Sequence, residues 1–116
     1  MKDWISIHDR YLRDSIPVRL GGLAVNLRRI QSFVSQEASS EAVVSLVEES
    51  KFFIEWTARD MVPDTAAQLI ELQIQLARWQ RNWPQIWPNP TRRQQMAEQS
   101  LAWSDRVLAL SGLLAQ

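Results

Sequence analysis

Residues Ala77–Pro90 read ARWQRNWPQIWPNP, and they hold three of the chain's six tryptophans and three of its five prolines. Arginines lie between the rings, so the stretch fits either a binding surface or one end of a core. The residues before it decide between the two. Leu69, Leu72, Leu76, Trp79 and Trp83 repeat at spacings of three and four, which is one face of an α-helix. Trp79 and Trp83 therefore continue a leucine stripe and form the wide end of a core. Ile70, Ile74 and Ala77 make a second stripe roughly 120° away, and a helix apolar on two faces is expected to be a central one with neighbours on both sides. Pro84, Pro88 and Pro90 forbid helix across 84–90, so Ile86 and Trp87 are expected to fold back over the bundle end as a plug.

The same periodicity runs outward in both directions. Residues 2–14 carry Trp4, Ile7 and Tyr11 on one face of a short helix. Ser15-Ile16-Pro17 then reads as a break and a new start, with Ser15 as cap and proline in the first turn. A second helix, 17–36, presents Leu20, Leu23, Leu27, Ile30 and Val34. Its Gly21-Gly22 pair costs ~2 kcal/mol against alanines, so either the helix starts later or another backbone packs very close. A third, 40–61, opens on Ser39-Ser40-Glu41 and carries Val43, Leu46, Val47, Ser50, Phe53, Ile54, Thr57 and Met61 on one face. Phe52 and Trp56 lie off that face and point to a second neighbour or to solvent.

Val62-Pro63-Asp64 ends the third helix and caps the fourth, 64–83. The last helix, 91–115, starts either from Asn89 with Pro90 in first position or from a Thr91/Gln94 capping box. It too has two stripes. One is Met96, Trp103, Val107, Leu110 and Leu114. The other is Ala97, Leu101, Leu108 and Ala115, with Ser104 and Ser111 nearby, and its small residues permit close helix approach. The expected fold is all-α: an antiparallel bundle of four long helices plus the short N-terminal one, in a single domain spanning residues 1–116.

Composition narrows the function classes. The chain has 116 residues, zero formal net charge and no cysteine. Zero net charge gives no global field toward DNA or an acidic membrane. The absence of cysteine removes disulfides, thiolate nucleophiles and Cys-ligated metals, and it suits a reducing cytoplasm. No stretch approaches the ~20 apolar residues of a membrane span. Charge is unevenly distributed: net +3 over residues 1–36, −6 over 37–72, +4 over 73–97 and −1 over the tail. An antiparallel fold sets the acidic segment beside basic ones.

Chemistry-bearing clusters are sparse. His8 is the one histidine, and the Glu-x-x-His and His-Glu-x-x-His metal patterns are absent. Gly21-Gly22 lacks the context of a phosphate loop. Glu48, Glu55 and Arg59 share the face opposite the Val43–Met61 stripe, which is a solvated one. No catalytic, cofactor-binding or metal-binding residue is assigned. What remains is Arg78, Arg81, Arg92 and Arg93 with Trp83 and Trp87. Rings interleaved with arginine can stack single-stranded nucleic acid, but Arg81 lies beside the Ile70/Ile74 stripe and Arg78 on the polar side, which divides the patch. Arg92 and Arg93 in a first helical turn oppose the helix dipole, and with the free amides there they form a candidate anion site. The alternative is that acids of the third helix neutralise them.

The segments RWQRNWPQIWPNP and WSDRVLALSGLL resemble the C-terminal half of small conserved all-α proteins of cyanobacteria that have no established activity. The resemblance covers roughly residues 69–114. It implies a cytoplasmic location and carries no mechanism. The expectation is thus a non-catalytic bundle, without cofactor, that self-associates as a homodimer or docks on another protein. Its candidate self-association face is Ala97, Leu101, Ser104, Leu108 and Ala115. The alternative is a module for an anionic ligand or single-stranded nucleic acid, using Arg78, Arg81, Trp87, Arg92 and Arg93.

Overall fold

The computed structural model describes residues 2–36 and 39–115, the side chain of Ala115 excepted. Helix starts and stops follow local chemistry. In α1 (Trp4–Arg13) the Asp3 carboxylate accepts from the Ser6 backbone N–H at 3.2 Å and the Ser6 hydroxyl at 2.8 Å. The hydroxyl bond first, and the backbone bond next, hold the Asp3 carboxyl below its ordinary range. α2 (Ile16–Ser35) begins with Pro17 in its first turn, where no N–H is needed. α3 runs Ser40–Ala58 and α4 runs Pro63–Arg81, again with proline in its first turn.

A single extra turn, α5 (Trp83–Ile86), follows α4 directly. This corrects the expectation that prolines keep 84–90 free of helix. Pro84 occupies the first turn of α5, and Pro88 and Pro90 fall beyond it, so only the continuation is blocked. α6 (Pro90–Ser111) is capped by Asn89, whose side chain accepts from the Arg92 N–H at 3.2 Å. Of the two starts left open, the Asn89 cap is the one formed. α6 stops at Gly112, which takes the left-handed conformation with φ 78°. Leu113–Ala115 form a short 3₁₀ turn beyond it. The expected 91–115 helix therefore ends four residues early, and Leu114 leaves its stripe and is 72% exposed.

The four long helices alternate in direction. α2 packs on both α3 and α6, and α3 packs on α2 and α4. Among the described residues there are helices and no strands, so the fold is the all-α antiparallel bundle that the periodicity predicts. Leu20, Leu23, Leu27, Ile30 and Val34 of α2 are buried, as are Val43, Val47, Phe53 and Ile54 of α3. Leu69, Leu72, Leu76 and Trp79 fill the side toward α4, and Ile86 plugs the end.

Side-chain size sets the helix spacing. α2 and α6 form the most intimate pair in the molecule, because their shared seam is built from Ala24, Ala97, Ser100 and Ser104. Ser100 Oγ donates to the Leu27 carbonyl and Ser104 Oγ to the Ala24 carbonyl, both at 2.7 Å. Small side chains let the backbones approach, and the hydroxyls find partners on the facing helix. This corrects the self-association face expected on α6. Ala97 and Ser104 are buried against α2, while Leu101 and Leu108 sit half-buried at the seam's edges; the side chain of Ala115 lies outside the described residues. The stripe packs within the chain.

A second correction concerns α4, which lies at the edge of the bundle and not at its centre. Its leucine face is buried, but Ile70 is 47% and Ile74 49% exposed. Among the described residues no helix covers that outer stripe: α3 packs on one flank of α4, and on the other α6 reaches it through Arg106, which meets Gln68 and Glu71.

α1 supplies the second neighbour of α3. Trp4 rests 4.5 Å from Phe52, and His8 meets Trp56 edge-on at 4.9 Å. Tyr11 stacks on Phe53 at 4.0 Å and donates its hydroxyl to the Arg19 carbonyl at 2.7 Å. Burial pushes the Tyr11 phenol up to about 12. Arg19 returns the tie. It donates to the carbonyls of Leu12 and Asp14 at the end of α1, and to Asp60 at the α3–α4 turn. As for Gly21 and Gly22, both lie inside α2. A Cβ on Gly21 would stand 3.0 Å from the Leu113 side chain, and one on Gly22 would stand 3.9 Å from the Tyr11 ring. Side chains, not a second backbone, approach the pair.

Candidate docking surfaces

Trp79 is 4% exposed and Trp83 half-buried, so the tryptophan–proline stretch is mostly the end of the core. Trp83 stacks on Trp87 with centroids 5.4 Å apart, and its Nε1–H donates to Ser40 Oγ at 2.9 Å. That bond ties the start of α5 to the start of α3. The Arg93 guanidinium lies 5.5 Å from the Trp87 ring centre and donates to the Trp87 carbonyl.

The sequence-predicted arginines do not converge. Arg93 turns toward a groove of about 360 Å³ between the end of α2 and the start of α6, shared with Gln31, Ser35 and Gln94. Arg92 lines a separate cup of about 210 Å³, floored by Trp79, Ile86 and Met96 and rimmed by Asn82, Gln95 and Gln99. Adjacent helical residues point 100° apart, and here Arg92 and Arg93 line different grooves. Arg78 and Arg81 are exposed on α4 and line neither groove. Arg78, Arg81 and Arg92 make no ion pair among the described residues.

Elsewhere the N-terminal basic segment does meet the acidic one: Lys2 pairs with Glu49 at 3.1 Å and Arg19 with Asp60 at 3.2 Å. Arg106 of the tail adds a pair with Glu71 at 3.6 Å. Glu49 also accepts from the buried Asn26 amide at 3.1 Å. The sequence signal for this trio is Asn26, a polar residue next to Leu27 on the core side of α2, where a buried amide needs a partner. Glu48, Glu55 and Arg59 stand in solvent, as their helical angles predict. Among the described residues, no group of three or more His, Asp or Glu stands close enough to hold a metal.

The outer face of α4 carries an unpartnered apolar stripe. Pro63, Ala67, Ile70, Ile74, Ala77 and Arg81 are all exposed and follow one another at spacings of four and three. That is the seam pattern of a coiled coil, lying opposite the buried leucine stripe. Asp64, Glu71 and Arg78, seven positions apart and also exposed, run along one flank of it. Ala66, Gln73 and Gln80 run along the other. Gln80 accepts from Lys51 at 2.7 Å and Gln73 donates to the Lys51 carbonyl at 3.3 Å, which fastens that flank to α3.

Among the described residues, no helix is long and apolar enough to cross a membrane. No known family model, curated protein or solved structure matches the chain.

Proposed function

We propose that this chain is a non-catalytic helical bundle that acts by docking on protein surfaces, its own or another's. The observation that carries the proposal is the exposed apolar seam on α4, a helix held rigidly by a fully buried opposite face. A rigid helix presenting an apolar stripe between polar flanks is the form that helix-to-helix recognition uses. The lack of cysteine supports a reducing compartment such as the cytoplasm. Solution scattering over a hundredfold range of concentration tests the proposal. The apparent mass is expected to rise above 13.5 kDa, or to do so when a partner is added. A mass fixed at that value, with no protein found to bind, counts against it.

A further inference from the structure

The seam of α4 has a property that a generic apolar stripe lacks: it reads the same in both directions. Ala67, Ile70, Ile74 and Ala77 have spacings of three, four and three. Reversal about position 72 exchanges Ile70 with Ile74 and Ala67 with Ala77. Two identical helices related by a two-fold axis perpendicular to them run antiparallel, and each presents the same patch to the other. Every large side chain then meets a large one near the centre, and every alanine meets an alanine at the ends.

The charges on the flank follow the same symmetry. In an antiparallel pair one flank meets its own copy, reversed. Asp64 therefore comes opposite the partner's Arg78, and the partner's Asp64 comes opposite Arg78. Arg81, at the end of the seam, comes beside the partner's Asp64 as well. Glu71 lies close to the axis and near its own mate, but each Glu71 already pairs with Arg106 of its own chain at 3.6 Å, which offsets that repulsion. A parallel pair does none of this. It sets Arg81 against Arg81 and turns the charged flank toward uncharged Ala66, Gln73 and Gln80. Arg78 and Arg81, without ion-pair partners among the described residues, gain them only in the antiparallel arrangement.

We infer that the outer face of α4 binds a second copy of this chain as an antiparallel, two-fold symmetric helix pair centred near residue 72. The inference rests on the docking function proposed above and names its partner. Asp64–Arg78 pairs at the rim favour the register, while the isoleucines supply the apolar contact.

The test uses the full chain. Ile74→Glu puts two carboxylates near the axis and is expected to weaken association at least tenfold in sedimentation equilibrium, with the far-ultraviolet circular dichroism unchanged because the site is outside the core. Asp64→Arg is expected to weaken it about threefold to tenfold at low salt, and adding Arg78→Asp in the same chain is expected to restore it. The chain has no cysteine, so an equimolar mixture of Ile70→Cys and Ile74→Cys chains reads the register. The mixture should cross-link faster than either variant alone, because identical positions are offset by about 6 Å along the axis. Fastest cross-linking between identical positions overturns the antiparallel pairing. Association that Ile74→Glu leaves unchanged overturns this face and leaves the docking function standing. A chain that stays monomeric at every concentration overturns the inference, and binding of another protein then decides the function separately.

Discussion

Replacing Ser100 with valine tests how closely α2 and α6 approach. Ser100 is 0% exposed and its hydroxyl donates to the Leu27 carbonyl at 2.7 Å. Valine removes that bond, worth about 1 kcal/mol, and adds a methyl group to a seam of small residues, costing about 1–3 kcal/mol more through crowding. The expected loss is about 2–4 kcal/mol. Ser100→Ala loses the same bond but adds no bulk, and alanine's better helix propensity returns about 0.5 kcal/mol; its expected cost is about 0.5 kcal/mol. At an unfolding entropy proportional to chain length, 1 kcal/mol moves the midpoint by about 4 °C here. Thermal and urea unfolding followed by circular dichroism should separate the two variants by about 6 °C or more. Equal destabilisation by valine and alanine would refute close packing at this seam.

Four further outcomes are expected. Tyr11 keeps its proton to about pH 12 when folded against ~10 when unfolded, so its contribution is whole below pH 10 and is lost as pH rises from there through 12. The stability gap between wild type and Tyr11→Phe should therefore narrow by about 1.4 kcal/mol per pH unit across that window in urea titrations. Arg19→Met removes donors to Leu12, Asp14 and Asp60 and should cost about 1.5–3 kcal/mol, with hydrogen exchange of the α1 amides accelerating first. Trp79→Ala should cost about 3–5 kcal/mol, whereas Trp87→Ala, at the half-buried end, should cost less than half as much in the same unfolding assay. Gly22→Ala should stabilise by about 0.5–1 kcal/mol, since the added methyl makes only an ordinary contact with Tyr11 at 3.9 Å.

Periodicity carried the architecture because burial demands it. Five apolar positions of α2 and three leucines of α4 all fall in the core where spacing places them. Spacing gives the angle between two stripes on a helix, but not which stripe another helix will cover. That is why the Ala97–Ser104 stripe, readable as an outer face, packs against α2, while the Ile70–Ile74 stripe, readable as an inner one, faces water. Both are apolar, and only the tertiary arrangement distinguishes them. The small residues of α6 did announce a close neighbour, without saying from which chain. Pro84 shows another limit. Proline forbids the helix before it and permits the helix after it, so three prolines in seven residues still leave room for the one turn of α5.

The candidate surface was half legible. Ile70, Ile74 and Arg81 are visible on one helical face from spacing alone. Their exposure is not, and without it the reversal symmetry of Ala67, Ile70, Ile74 and Ala77 has no consequence. The bonds that fasten the bundle's ends are illegible in spacing. Arg19 donates to backbone carbonyls, which every residue carries and no side-chain pattern marks, and Trp83 donates to Ser40, 43 positions away, a pair that no local pattern encodes.

The most direct measurement is the distance between nitroxide labels on Asn82→Cys in two associated copies, read by pulsed dipolar spectroscopy. Asn82 is exposed and its side chain makes no capping bond at the start of α5. It lies ten residues from position 72, so antiparallel α4 helices hold the two labels about 30 Å apart along the axis. Labels at the ~10 Å spacing of parallel neighbouring helices, or no coupling between copies at any concentration, would contradict the account.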